Sequence, residues 1–227
     1  MTRLCTATLI AMILMLLQSC DVPLDHEWYE RTDGSEYYET EGSPASFMII
    51  TKKFEKSDTA DGKKKYLFKT NDSKFISNEN IKVWEITDTS TPYPTTVTAS
   101  ISRQSGSSTA GFGILFAARK SSGKEYFLTV MINTSGQYMI GKQAAGNFTV
   151  IQDWKRADSL KKGYGVQNII KVTLSGSAFN VYFNNVLVET FQDTIQPKLS
   201  TGAHGYIVSI PPTENLPQKF VEATFIE

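Results

Sequence analysis

The chain has 227 residues, 41% of them hydrophobic, and its 23 basic and 23 acidic side chains cancel at pH 7. Two cysteines and two histidines exclude a disulfide framework of the small secreted type and a multi-histidine zinc site. The neutrality conceals an uneven distribution of charge along the chain.

Arg3 precedes an apolar run, Ala7 to Leu17, broken only by Thr8. As a helix these eleven residues would cover roughly half of a ~30 Å hydrocarbon core, too little to span it and right for a secretory signal. The following Leu17-Gln18-Ser19-Cys20 resembles the lipobox of bacterial lipoproteins, in which a branched apolar residue, a small residue and the acylated cysteine fall in this register. The resemblance implies a signal peptide over 1–19 and lipidation at Cys20. Cys5 would leave with the signal, and the membrane would be reached through lipid alone. The expected location is the cell envelope, with the outer membrane or cell surface favoured. Asp21 resembles the inner-membrane retention signal of enteric lipoproteins and keeps that alternative open. An exported, lipid-anchored protein is not expected to meet nucleic acid.

Residues 20–43 carry eight acidic side chains against Arg31 alone, a net charge of −7, and read as an acidic tether. Trp28, Tyr29, Tyr37 and Tyr38 leave open a segment docked onto the rest. Residues 44–227 hold 21 basic against 15 acidic side chains, a net charge of +6, and are long enough for one substantial core.

The pattern of 44–227 is β throughout. Strands are expected over 47–54, 64–70, 81–87, 96–102, 111–120, 125–134, 136–143, 148–154, 168–176, 179–185, 186–193, 204–210 and 220–227, all rich in β-branched and aromatic residues. Thr134-Ser135-Gly136, Ser175-Gly176-Ser177 and Asn184-Asn185 supply turns, and the asparagine pair suits a two-residue hairpin. Alternation places Ile170, Val172 and Leu174 on one face of their strand. It divides Val181, Phe183, Val186 and Val188 from Tyr182 and Leu187, and these are expected core positions. Many short strands with frequent turns indicate an all-β, antiparallel two-sheet sandwich.

The order G-F-G-I-L-F (111–116), E-Y-F-L-T-V-M-I (125–132), S-G-Q-Y-M-I-G-K (135–142), V-I-Q-D-W (150–154), S-L-K-K-G (159–163), N-I-I-K-V-T-L-S-G (168–176) and V-Y-F-N-N-V-L-V (181–188) resembles bacterial concanavalin A-like lectin/glucanase (laminin-G-like) sandwiches. The resemblance covers about 97–210. It implies a jelly roll with a concave face that in relatives often meets carbohydrate. Glucanase relatives carry E-x-D-x-x-E or E-x-D-x-E on one strand, which brings two carboxylates about 5–5.5 Å apart. No such triplet occurs here, nor any G-x-S-x-G, Walker loop, EF-hand or complete H-E-x-x-H. No cofactor is expected; calcium, common in some relatives, lacks a ligand string.

Sugars stack on aromatic faces, so the candidate ligand-binding residues are Trp84, Trp154, and the loop residues Tyr93 and Tyr164. Lys155, Arg156, Lys161 and Lys162 are candidates for an anionic polysaccharide. The expected function is a lipid-anchored, non-catalytic, carbohydrate-binding or adhesive module. A divergent glycoside hydrolase using Glu85, Glu125 and Asp153 is one alternative. A structural envelope protein that binds other surface proteins is the other.

Overall fold

The computed structural model describes residues 29–30, 36–38, 47–51, 54–70, 80–88, 94–210 and 221–227. Cys20 and Tyr93 lie outside them. Every regular element among the described residues is a strand, as the density of Val, Ile, Thr and aromatic residues dictates.

The strands form two sheets. One has nine strands in the order β1 (Tyr29–Glu30), β2 (Glu36–Tyr38), β3 (Phe47–Thr51), β6 (Asn80–Asp88), β15 (Ala203–Ile210), β8 (Phe112–Ser121), β9 (Lys124–Ile132), β10 (Gln137–Ala144) and β11 (Asn147–Arg156). The other has seven, in the order β14 (Val186–Phe191), β13 (Ala178–Phe183), β12 (Asn168–Ser175), β7 (Thr96–Ser105), β16 (Val221–Ile226), β5 (Lys64–Thr70) and β4 (Glu55–Asp58). Neighbours are antiparallel except β3 and β6, which run parallel with Phe47 opposite Asn80. The architecture is the expected two-sheet sandwich.

Three elements depart from the sequence expectation. Within the acidic segment 20–43, β1 and β2 pair with each other and β2 pairs with β3, so part of that segment extends the sheet rather than standing free. Strand β4, of sequence EKSD, is exposed at every position and gives no alternation to read. It is held by its ladder to β5. Val186 and Leu187, expected in the core, are 53% and 52% exposed, because β14 is the edge of its sheet and no strand among the described residues lies beyond it.

The core between the sheets is apolar and aromatic. Phe112, Ile114 and Phe116 of β8 and Leu128, Val130 and Ile132 of β9 face Ala99 and Ile101 of β7 and Ile170 and Val172 of β12. Burying each of these side chains larger than Ala99 contributes about 1.5–3 kcal/mol. Asn184 and Asn185 have φ of 51° and 70°, the left-handed pair that the β13–β14 hairpin requires. The Asn184 side chain also accepts from Ile169 N at 2.9 Å and donates to Ser159 O at 2.6 Å, tying the turn to the loop before β12. Lys142 of β10 is buried beside Asp193, and its ammonium also donates to Ile195 O and Pro197 O at 2.6 and 2.8 Å. Asp193 accepts from Leu199 N at 2.7 Å. This pair fastens the 192–202 connection across the end of the sandwich.

Candidate functional site

Alternation along an antiparallel strand normally leaves one face polar toward water. The seven-stranded sheet obeys this. Thr98, Ser100 and Ser102 of β7 and Lys171 and Thr173 of β12 alternate with the buried positions. The nine-stranded sheet does not. Its outward positions include Leu115 of β8, Phe127 and Met131 of β9, Met139 of β10, and Trp84 and Ile207 of β6 and β15, which form a second apolar cluster. Phe148 and Trp154 of β11 pack against its edge.

Over this cluster lies a groove of about 590 Å³. Met131, Met139, Phe148, Val150 and Trp154 supply its apolar wall. Thr109, Asn133, Gln137 and Ser209 supply hydroxyls and amides. Lys82 and Asp153 are its charged lining among the described residues.

Two glycines make room for the rings. A Cβ on Gly141 would fall 2.3 Å from Phe148 Cζ, so the ring lies directly on the β10 backbone. A Cβ on Gly111 would meet Met131 Sδ at 3.0 Å and Trp154 Cη2 at 3.1 Å, so the indole reaches inward over β8. Asn133 shapes one end. Its Oδ1 accepts from Ser135 N and Gln137 N at 3.1 and 3.0 Å, and its Nδ2 donates to Gln137 Oε1 at 3.1 Å.

Lys82 Nζ sits 4.4 Å from the centroid of the Phe148 ring. Burial lowers its pKa from the usual 10.5 to about 8. Strands β6 and β11 are separated by β15, β8, β9 and β10. On a flat sheet at ~4.8 Å per strand they would stand about 24 Å apart, beyond the reach of the two side chains together. The contact therefore requires the sheet to curl into a trough with Lys82 on one wall and Phe148 on the other.

The expected site residues divide between this trough and other surfaces. Trp154 lines the groove, half-buried. Trp84 belongs to the same face but is only 8% exposed; it stacks edge-on against Phe127 and its indole N–H donates to Glu125 Oε2 at 2.6 Å. It is thus a foundation beneath the groove rather than a platform open to ligand. Tyr164 is exposed on the loop after β11, outside the lining residues, and its hydroxyl donates to Gly106 O. That bond braces the 106–110 loop, whose Thr109 and Ala110 line the groove.

The basic residues do not converge on the groove. Lys155 pairs with Glu189 of β14 at 3.2 Å, and that bond raises its pKa. Tyr138 donates to the same carboxylate at 2.9 Å. Arg156 stands 4.0 Å from Asp158 on an exposed surface. Lys161 and Lys162 are exposed on the following loop, the stem of Lys162 lying against Gly136.

The three candidate acids are dispersed as well. Glu85 turns the other way, pairing with Lys56 at 2.6 Å and accepting from Phe54 N at 2.6 Å. Glu125 is engaged by Trp84, and Asp153 Oδ1 accepts from Trp154 N at 2.7 Å. No cluster of three or more His, Cys, Asp or Glu side chains able to hold a metal occurs among the described residues.

No protein-family model matches the chain, and no curated protein matches it by sequence. Solved structures do match in shape. A family 16 glycoside hydrolase, an endo-glucanase from Bacteroides ovatus, superimposes with a TM-score of 0.52 at 10% identity, over 89% of this chain and 93% of its own. A carbohydrate-binding module from Bacillus subtilis superimposes with a TM-score of 0.50 at 16% identity, over 76% of this chain and 88% of its own. The fold is the concanavalin A-like jelly roll. Within it, Lys82, Phe148, Met131 and Met139 are groove residues that sequence reasoning did not single out. The available signal was the apolar run Phe127–Ile132, interrupted only by Thr129, which marks a strand apolar on both faces rather than one.

Proposed function

We propose that the protein is a lipid-anchored envelope component whose jelly roll binds carbohydrate, without cleaving it, in the groove on the outer face of the nine-stranded sheet. The observation that carries this reading is the trough itself: about 590 Å³, walled by Trp154, Phe148 and two methionines, with amides and hydroxyls at its end. Small-molecule sites combine apolar walls with a few placed polar groups in this way, and a pyranose offers both faces to match. Sharing the jelly roll with a carbohydrate-binding module and an endo-glucanase makes saccharides the first class to test. The fold alone does not decide between binding and cleavage.

Cleavage by a retaining mechanism needs two carboxylates about 5–5.5 Å apart across the bond, and Asp153 is the carboxylate among the described lining residues. Of the outward positions of β9, Phe127, Thr129 and Met131 carry no carboxylate, and Glu125 is engaged by the Trp84 indole. The anchor follows from the signal-like N-terminus and Cys20.

A glycan array probed with the full chain in detergent tests the reading, beside a Trp154→Ala variant. Binding that is lost in the variant is the expected result. An array blank for correctly folded protein would overturn it, and release of reducing ends from any bound polysaccharide would replace binding by hydrolysis.

A further inference from the structure

The polar end of the groove is built by the β9–β10 hairpin. There Asn133 stands opposite Gln137, and Met131 opposite Met139, all four lining the groove. Asn133 is buried and its oxygen is committed, since Oδ1 accepts from the backbone N–H groups of Ser135 and Gln137 at 3.1 and 3.0 Å. An amide nitrogen cannot accept, so these two bonds fix which way the Asn133 side chain faces and turn Nδ2 toward Gln137. Gln137 answers with its oxygen, at 3.1 Å. Its own Nε2, with two N–H donors, ends the relay and meets no acceptor among the described residues. The backbone of the turn thus sets the polarity of this end of the groove, which offers donors.

What lies beside the donor narrows the ligand further. The next outward residue along β10 is Met139, about 6.6 Å on, with Met131 beside it on β9. On the other side, β11 carries one residue more than β10 between the pairs Tyr138–Lys155 and Ile140–Gln152. That bulge lets two consecutive residues, Asp153 and Trp154, both line the groove. Asp153 Oδ1 accepts from Trp154 N, and the other carboxylate oxygen is left to accept. The fitting group therefore brings an acceptor to Gln137 and an apolar end to the methionines. A hydroxyl supplies the acceptor without the apolar end. A carboxylate supplies it too, but turns its second charged oxygen onto thioethers, where it is poorly solvated. An acetamido group carries a carbonyl and a methyl on one carbon, and its N–H suits a carboxylate.

We propose that the groove selects saccharides bearing an acetamido substituent, with Gln137 Nε2 donating to its carbonyl and the methyl resting on Met139 and Met131. This rests on the carbohydrate-binding reading above and names the class of sugar for that site.

Calorimetric titration of the full chain in detergent compares chitotetraose with cellotetraose, and N-acetyllactosamine with lactose. Each pair shares its linkage and differs in the acetamido group. The expected result is a roughly tenfold or greater preference for the acetamido member of at least one pair, the worth of one hydrogen bond and a buried methyl. Gln137→Glu keeps an oxygen for Asn133 Nδ2 and removes the donor, so it should erase the preference. Equal affinity within both pairs, or a preference that survives Gln137→Glu, would overturn the inference. If glycans on the array bind and depend on Trp154, yet those bound carry no acetamido group, the carbohydrate-binding reading stands and the assignment of Gln137 falls. If no glycan binds, both fall. The wild-type comparison decides the matter even if the Gln137 variant folds poorly.

Discussion

At the scale of single residues, the groove depends on side chains whose ordinary behaviour has been altered by their surroundings. Lys82 is the clearest. Its folded pKa of about 8 lies below the usual 10.5, so between these values the unfolded chain holds a proton that the folded chain has released. Stability from this group therefore rises with pH across that window and is lowest below pH 8. Lysines labelled as ¹³C-dimethylamines should show one resonance titrating near 8, absent in Lys82→Met; a set titrating only near 10.5 would place the amine in water.

Ala145 is a second altered residue, held at φ 52° in the β10–β11 turn, a conformation that costs an L-residue about 1–2 kcal/mol. Ala145→Asn should stabilise the protein by about 1 kcal/mol, read as a higher urea midpoint with unchanged slope. The hairpin at Asn184-Asn185 was legible because asparagine announces the left-handed turn. Alanine at 145 announces nothing, and only the adjacent Gly146 hints at it. Lys82 was illegible for a related reason: one lysine in an alternating strand reads as a solvated position until the curl of the sheet brings Phe148 over it.

At the scale of elements, most strands could be read from composition and alternation, and the misreadings have physical causes. Strand β4 has no apolar face, since its four residues are all exposed; its ladder to β5 and the Lys56–Glu85 pair hold it. Val186 and Leu187 alternate like core residues, yet no strand among the described residues lies beyond this edge to cover them. The 192–202 connection carries the largest commitment of charge to structure among the described residues, because Lys142 and Asp193 are both buried and satisfy each other and four backbone groups. Removing one partner leaves the other charge uncompensated. Lys142→Met should therefore destabilise the fold by about 3–5 kcal/mol in chemical denaturation. Lys142→Met combined with Asp193→Asn should recover part of that loss, since no charge then remains buried. A double variant no more stable than the single one would show that the hydrogen bonds, and not the charge, carry the connection.

At the scale of the whole molecule, the sequence carries a short apolar run, an acidic segment and a basic remainder in that order. The acidic segment contributes β1 and β2 to the edge of the nine-stranded sheet, the sheet that also forms the groove. If Cys20 carries the anchor, Cys20→Ser should move the protein from the detergent phase to the aqueous phase on Triton X-114 partition. The fold class was legible from the sequence because strand spacing and order survive where identity does not. The groove was not, because it arises from the curvature of one sheet, which brings residues from β6 and β11 together across four intervening strands.

The central claim is that this curled face holds a saccharide against Trp154. It is tested most directly by indole ¹⁵N–¹H spectra recorded while a bound glycan is titrated in. The Trp154 resonance should shift in proportion to saturation, and that of Trp84, held to Glu125 beneath the groove, should shift much less. A glycan that saturates the protein while the Trp154 resonance stays still would place the binding site elsewhere and contradict the account.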